Sequence, residues 1–201
     1  MTVLKKTSFP DALVQVNALK GRGFHAWLFC PSMLFQSVDT WWGDQKRRDN
    51  PHEGLDLLFY CDRRGRTHHL NSETKVPAMY DGQVVRILND FLGKTIIMGH
   101  GALGNEEGVF CTMFGHTKPE ENIIEGTTIQ EGEVIASLAE PLSARSGVKA
   151  HLHISMGLLG PSVSYQHLDW RRMGDPASMH FFDPLQVPGW HYQVRECNEL
   201  L

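Results

Sequence analysis

Between residues 51 and 156 the chain is a succession of short β-like runs separated by turn residues, and no other feature constrains the fold as much. Candidate strands at 55–60, 76–78, 83–88, 94–100, 109–116, 133–138 and 150–156 are punctuated by Asp81-Gly82, by a turn at 89–93 and by a loop at 101–108. That loop holds Gly101, Gly104 and Gly108. Runs of this length with turn signals at this spacing belong to an antiparallel all-β assembly. The chain shows no βαβ alternation, phosphate-binding glycine motif or internal repeat.

The flanks read differently. Ser8-Phe9-Pro10-Asp11 followed by residues 12–20 predicts a short N-terminal helix, with Ser8 as its cap, Pro10 in the first turn and Gly21 at its end. Residues 24–38, rich in Leu and aromatics, suit a strand or a buried connector. Trp41 and Trp42 are expected to pack rather than touch a ligand. Residues 1–45 thus form an extension packed on a main domain of residues 46–201. Within that domain, residues 62–75 are a polar hairpin excursion carrying His68 and His69, both expected in solvent. Residues 158–201, with Trp170, Phe181-Phe182 and Asp183-Pro184, make a loop-rich tail that packs back onto the sheet.

A chain of 201 residues supports one well-buried core. Its net charge of −4 and scattered Lys and Arg give no nucleic-acid footprint. The four cysteines, Cys30, Cys61, Cys111 and Cys197, show no Cys-x-x-Cys spacing, so no zinc ribbon or thioredoxin-type motif is present and free, mostly buried thiols are expected. Lys5 and Lys6 have no apolar run behind them, so no signal peptide is visible. The most apolar stretch, 24–38, is too short and too broken to span a bilayer. The sequence thus reads as a soluble protein without an export address, cytoplasmic on that evidence.

The chemistry concentrates at Ala150-His151-Leu152-His153-Ile154-Ser155-Met156. Alternation over seven positions sends Leu152, Ile154 and Met156 to a core and His151, His153 and Ser155 to the other face. Two histidines so placed can present nitrogen ligands or proton-transfer groups to one spot. Alone, the pair reads equally well as two surface histidines. Two further segments complete the set. In His52-Glu53-Gly54-Leu55-Asp56, His52 and Asp56 lie four apart, an even offset that puts both on one side of a loop-to-strand segment. In Thr112-Met113-Phe114-Gly115-His116, strand parity puts His116 on the face of Phe114 and Thr112, opposite Cys111 and Met113.

Together these residues resemble the active-site set of the lysostaphin/LytM-type zinc endopeptidases. Further motifs carry the likeness: Val76-Pro77-Ala78-Met79-Tyr80-Asp81-Gly82-Gln83-Val84, Gly93-Lys94-Thr95-Ile96-Ile97-Met98-Gly99-His100-Gly101, Phe114-Gly115-His116, Ile129-Gln130-Glu131-Gly132-Glu133-Val134-Ile135-Ala136, and His151-Leu152-His153. They span residues 50–157 in the family's order. The chain departs from the pattern at Phe114, where the family has tyrosine, and in the 62–75 excursion. His100 is given no ligand duty.

The resemblance implies a mainly β fold, an antiparallel sheet or sandwich of the duplicated-hybrid-motif (barrel-sandwich) type. It implies one Zn²⁺ per chain held by His52, Asp56 and His153, with His116 and His151 as flanking catalytic imidazoles. Residues i and i+2 of a strand stand about 6.5 Å apart, so one ring can reach the ion while the other stands beside a bound water. Three protein ligands plus water make an open, catalytic zinc site. Which of His116 and His151 is the base stays open. The implied activity is cleavage of peptide bonds in peptidoglycan cross-bridges or stem peptides, which points to the cell envelope or to secretion. Other readings remain: a non-catalytic metal-binding regulatory or wall-binding domain on the same fold, a closed structural site that also uses His151, and a two-histidine phosphocarrier.

Overall fold

The structure, a computed structural model, describes residues 4–43, 46–104, 106–140 and 148–201. The expectations for the first three residues, for the start of the charged run at 44–45 and for position 105 of the glycine loop fall outside the described residues. The chain opens with α1 (Phe9–Val16) and β1 (Phe24–Phe29). It then lays down β2 (Gly54–Leu57), β3 (Phe59–Asp62), β4 (Thr67–His69) and β5 (Lys75–Pro77). The central strands are β6 (Gly82–Asn89), β7 (Lys94–Gly99) and β8 (Val109–Pro119), followed by β9 (Thr128–Ile129), β10 (Val134–Leu138) and β11 (Leu152–Leu159). The tail contributes α2 (Trp170–Met173), β12 (Met179–Phe182), β13 (Tyr192–Val194) and α3 (Cys197–Leu200).

The expected mainly β architecture is what the chain adopts. The large sheet runs β12-β11-β8-β7-β6-β9, with β2 paired to β11 and β10 to β5 and β8; a smaller sheet runs β13-β1-β3-β4. Every pairing is antiparallel except β1 with β13, which is parallel. No helix among the described residues is long and apolar enough to cross a membrane. The four cysteines are unpaired; Cys30, Cys61 and Cys111 are buried and Cys197 is half-buried.

The large sheet is covered on both faces, which is why β11 is buried almost along its whole length. Leu152, Ile154 and Met156 enter the main core with Phe114, Phe110, Trp27 and Phe29. An apolar side chain of this size, fully buried, contributes about 1.5–3 kcal/mol. On the opposite face Ile97, Cys111, Met113 and Leu159 pack against Leu168, Met173 and Met179 of the tail. The tail therefore makes a second, smaller core, and the site lies on this same face.

Four sequence expectations need correction. The candidate strand at 55–60 is two strands: the chain changes sheets at Leu58, so β2 joins β11 while β3 joins β1 and β4. The apolar run Leu57-Leu58-Phe59 allows this, because all three residues are buried whichever sheet they serve. The first helix stops at Val16 rather than at Gly21: Asn17 donates to the Leu13 carbonyl and clasps Lys75 of β5 through both its amide atoms, and Ala18 turns left-handed at φ 51°. Ser8 sits at the cap position, yet its hydroxyl goes to Glu131 instead of to the helix. In the 62–75 hairpin, His68 is not simply solvated; it stacks on Tyr60 at 5.1 Å and meets Asp62 at 3.2 Å.

Strand parity also fails at His116. Lys94 pairs with Thr117 and Ile96 with Phe114, so Gly115 and His116 together oppose Thr95 alone. This is a β-bulge, and it re-aims the side chain that follows. His116 adopts φ 61°, leaves the Phe114 face and turns to the face of His153. Gly115 pairs with His153, and a β-carbon on it would stand 3.2 Å from the His153 β-carbon, tight enough that the neighbouring ring would have to give by a few tenths of an ångström.

Candidate active site

The pairing of β2, β11 and β8 brings Asp56, His153 and Gly115 into one register across three strands. Side chains directly opposite on neighbouring strands share a face, so Asp56 and His153 meet. His52 reaches them from the loop before β2, where its N–H donates to Ser37 and its carbonyl accepts from Gln36. The donor atoms converge closely: His52 Nε2 lies 3.2 Å from both Asp56 Oδ1 and His153 Nδ1, and His153 Nδ1 lies 2.8 Å from Asp56 Oδ1.

These atoms fit a tetrahedral cation. Two ligands held at about 2.0–2.2 Å by zinc stand roughly 3.3 Å apart, so the three contacts need only widen slightly. The outer nitrogens fix the ring orientations. His52 Nδ1 is 3.0 Å from the Leu34 carbonyl, and donating there leaves Nε2 free as a lone pair. His153 Nε2 lies 2.8 Å from Ser155 Oγ and 3.3 Å from Glu53 Oε1. Such partners behind a ligating histidine orient it and raise its basicity. A buried group of two imidazoles and a carboxylate, His52, Asp56 and His153, can hold a metal ion.

The two carboxylates also draw a proton toward the cluster. Burial alone would lower the His153 imidazole; its hydrogen bonds to Asp56 and Glu53 outweigh that and raise it to about 10. Burial alone would raise Glu53 and Asp56; the histidines instead lower Glu53 to about 2 and hold Asp56 well below the carboxylate range.

His116 and His151 stand beside this group, with ring centroids 4.6 Å apart and His116 5.8 Å from His153. His151 Nδ1 donates to the Lys149 carbonyl at 2.8 Å, and Nε2 lies 3.8 Å from Asp56 Oδ1. Burial lowers His151 to about 4, against the pull of Asp56, so the ring is neutral at pH 7. His116 Nδ1 is 3.1 Å from Asp90 Oδ1. A cleft of about 750 Å³ opens over these groups, lined by Trp42, Phe91, Trp170 and Phe181 among others.

The structure therefore brings together all five residues singled out from the sequence, His52, Asp56, His116, His151 and His153. It adds Trp41, Glu53, Asp90 and Ser155; His100, given no ligand duty from the sequence, is taken up by the Asp81 carbonyl and Thr112 on the other face. Ser155 and Glu53 lay within the sequence motifs without a role. Trp41 was expected only to pack; instead its Nε1–H donates to Asp56 Oδ2 at 2.7 Å while its ring meets His151 edge-on at 4.9 Å. That bond leaves Oδ1 as the atom facing the histidines. Trp41→Phe keeps the ring and deletes the donor, so zinc affinity measured by competition with a chelator should fall about 10–100-fold with folding retained. Unchanged affinity would show that the indole bond does not orient Asp56.

Two imidazoles and a carboxylate that can hold a divalent cation, with two more imidazoles beside them in a β-fold cleft, suit hydrolytic chemistry. The family model for peptidase family M23 matches residues 62–165, just over half of the chain, and the chain belongs to that family. His116, His151 and His153 lie inside the matched span; His52 and Asp56 precede it and join the site through the β2–β11 pairing.

Solved structures with a similar fold include the antimicrobial peptidase lysostaphin from Staphylococcus simulans, at 19% identity and TM-score 0.41 over 67% of this chain. This chain spans 42% of that lysostaphin's length. The catalytic domain of the prophage-encoded M23 protein EnpA from Enterococcus faecalis, in the form of a point mutant, aligns at 16% identity and TM-score 0.40, covering 70% of this chain and 95% of that one. The SpoIIQ-SpoIIIAH pore forming complex gives 14% identity and TM-score 0.49, with 91% and 90% covered. A comparison with curated proteins finds none that matches.

Proposed function

We propose that this protein is a zinc-dependent endopeptidase that cuts peptide bonds in peptidoglycan cross-bridges or stem peptides, with His52, Asp56 and His153 as zinc ligands. The observation that carries the reading is the convergence of His52 Nε2, Asp56 Oδ1 and His153 Nδ1 to 2.8–3.2 Å, each ring oriented by a partner on its outer nitrogen. Membership of peptidase family M23 supports the hydrolytic chemistry. A zinc ion bound there supplies a polarised carbonyl and a water of lowered pKa.

The chain's own groups do the rest. His151 presents an unprotonated Nε2, its Nδ1 proton being spent on Lys149, and so can accept a proton inside the cleft. His116, backed by Asp90, flanks the same space. The aromatic walls exclude water and position the peptide. The N-terminal extension belongs to the site as well, since Trp41 orients Asp56. A peptidoglycan substrate puts the place of action at the cell envelope, which fractionation with an antibody to the native chain would check.

Zinc uptake must expel the proton that Asp56 and Glu53 hold on His153. Because that imidazole is raised to about 10 in the metal-free protein, the proton is present at pH 7 and affinity should strengthen as pH rises. Calorimetric titration at pH 7 in buffers of different ionisation enthalpy should show about one proton released per zinc. Zinc binding without proton release, and with no dependence on pH, would argue against His153 as a ligand. Activity itself is tested on purified sacculi and synthetic stem peptides: zinc-dependent release of new amino termini is expected, and a zinc-loaded protein that cleaves no member of the panel contradicts the proposal.

A further inference from the structure

Two cleft residues that carry a β-carbon have a left-handed backbone, Gln36 at φ 65° and His116 at φ 61°; of these, His116 is the one beside His151 and His153. Such a conformation persists only when the surroundings hold it. The His116 carbonyl accepts from the Ala139 N–H and the ring packs on Phe91, but its backbone N–H and ring Nδ1 both go to a single carboxylate. Asp90, in the turn between β6 and β7, accepts five hydrogen bonds. Oδ1 takes the backbone N–H groups of Leu92 and Gly93 at 2.9 and 2.7 Å and the His116 ring at 3.1 Å. Oδ2 takes the His116 backbone N–H at 2.9 Å and the Thr95 hydroxyl at 2.8 Å.

We propose that Asp90 is a positioning residue of this site: it pins His116 in the bulge and commits the proton to Nδ1, so that Nε2 is the nitrogen presented to the cleft. The geometry is over-determined. The turn's own N–H groups fix the carboxylate, and the carboxylate grips His116 at two points, backbone and ring. An ionised carboxylate can only accept, and Asp90 is held well below the usual carboxylate range because the His116 bonds outweigh the cost of burial. Nδ1 must therefore be the donor, and among the described residues Nε2 has no hydrogen-bond partner. His151 is oriented differently, by the neutral carbonyl of Lys149, so the two flanking imidazoles are set by separate devices. Holding an imidazole in one tautomer and one orientation is what a buried carboxylate does behind a catalytic histidine.

For turnover this inference rests on the peptidase reading; for the tautomer it does not. ¹⁵N NMR of the histidine-labelled, zinc-loaded full chain, at a pH where the rings are neutral, should show His116 as the Nδ1–H tautomer. Asp90→Ala should abolish that preference and lower kcat on the order of 10²–10⁴-fold with KM unchanged. Asp90→Asn keeps one oxygen for the turn but puts a donor where an acceptor stood, and it should move kcat in the same direction while folding more readily. An Nε2–H tautomer in the parent overturns the proposal, active or not, and decides the matter alone if neither variant folds. So does a folded variant whose tautomer and kcat match the parent. An Nδ1–H tautomer in a parent that cleaves nothing upholds the inference and counts against the peptidase reading instead.

Discussion

His153→Ala should lose both zinc and turnover, whereas His151→Ala should keep zinc and lose turnover alone. The two histidines stand side by side, His151 just before β11 and His153 within it, yet their surroundings differ. His153 Nδ1 lies 2.8 and 3.2 Å from the other two ligand atoms. Its removal leaves two protein donors, too few for a stable zinc site. His151 Nε2 lies 3.8 Å from Asp56 Oδ1, farther than the His52 and His153 nitrogens, and Nδ1 sends its proton out of the site to the Lys149 carbonyl. Its removal should cost on the order of 10²–10⁴-fold in kcat, the usual contribution of a positioned acid or base, with zinc content unchanged. Metal analysis and kinetics on the three proteins check this. Equal zinc content in all three, or loss of zinc on removing His151, would reverse the assignment.

The second large effect is expected at Gly54, midway between His52 and Asp56. Gly54 pairs with Ser155 where β2 meets β11. A β-carbon there would lie 2.4 Å from the Ile154 carbonyl oxygen, 2.6 Å from Ser155 Oγ and 2.9 Å from His153 Nε2. The first contact is with backbone and cannot be relieved by a rotamer, so Gly54→Ala must push β2 away from β11. Overpacking of this kind costs about 1–3 kcal/mol, and more where the neighbour cannot give. For a chain of this size that is a fall in Tm of roughly 2–12 °C. The same displacement separates Asp56 from His153, so zinc affinity should fall together with Tm. Thermal unfolding and zinc titration would show the two losses together; an alanine variant with the parent's Tm and affinity would mean the strands are not held in this register.

Much of this site was legible in the sequence because it rests on short-range patterns. Alternation placed His151 and His153 on one face, and the even offset placed His52 with Asp56; resemblance to a known zinc family then gathered the five residues. What could not be read depends on long-range contact or on local breaks in periodicity. Parity put His116 on the wrong face because a bulge of one extra residue is invisible to a period of two. Asp90 reads as an ordinary turn residue, since nothing local shows that β6–β7 and β8 bring it to His116. Trp41 comes from a segment whose sequence suggests only packing, and its bond to Asp56 exists because the loop before β2 folds over the cleft. The sheet change at Leu58 was hidden by an uninterrupted apolar run. Asp90 and Trp41 take their roles from partners outside their own segments, and His116 and Leu58 from breaks in the strand pattern; the strand rhythm itself is local and so was recovered.

The most direct test of the account is a structure of the zinc-loaded protein in which the protein ligands are counted. The prediction is one ion bound by His52 Nε2, Asp56 Oδ1 and His153 Nδ1, with the remaining position not filled by protein and both His116 and His151 outside the coordination sphere. An ion closed off by His151 as a fourth protein ligand, or an ion bound elsewhere with these three residues left unligated, would contradict it.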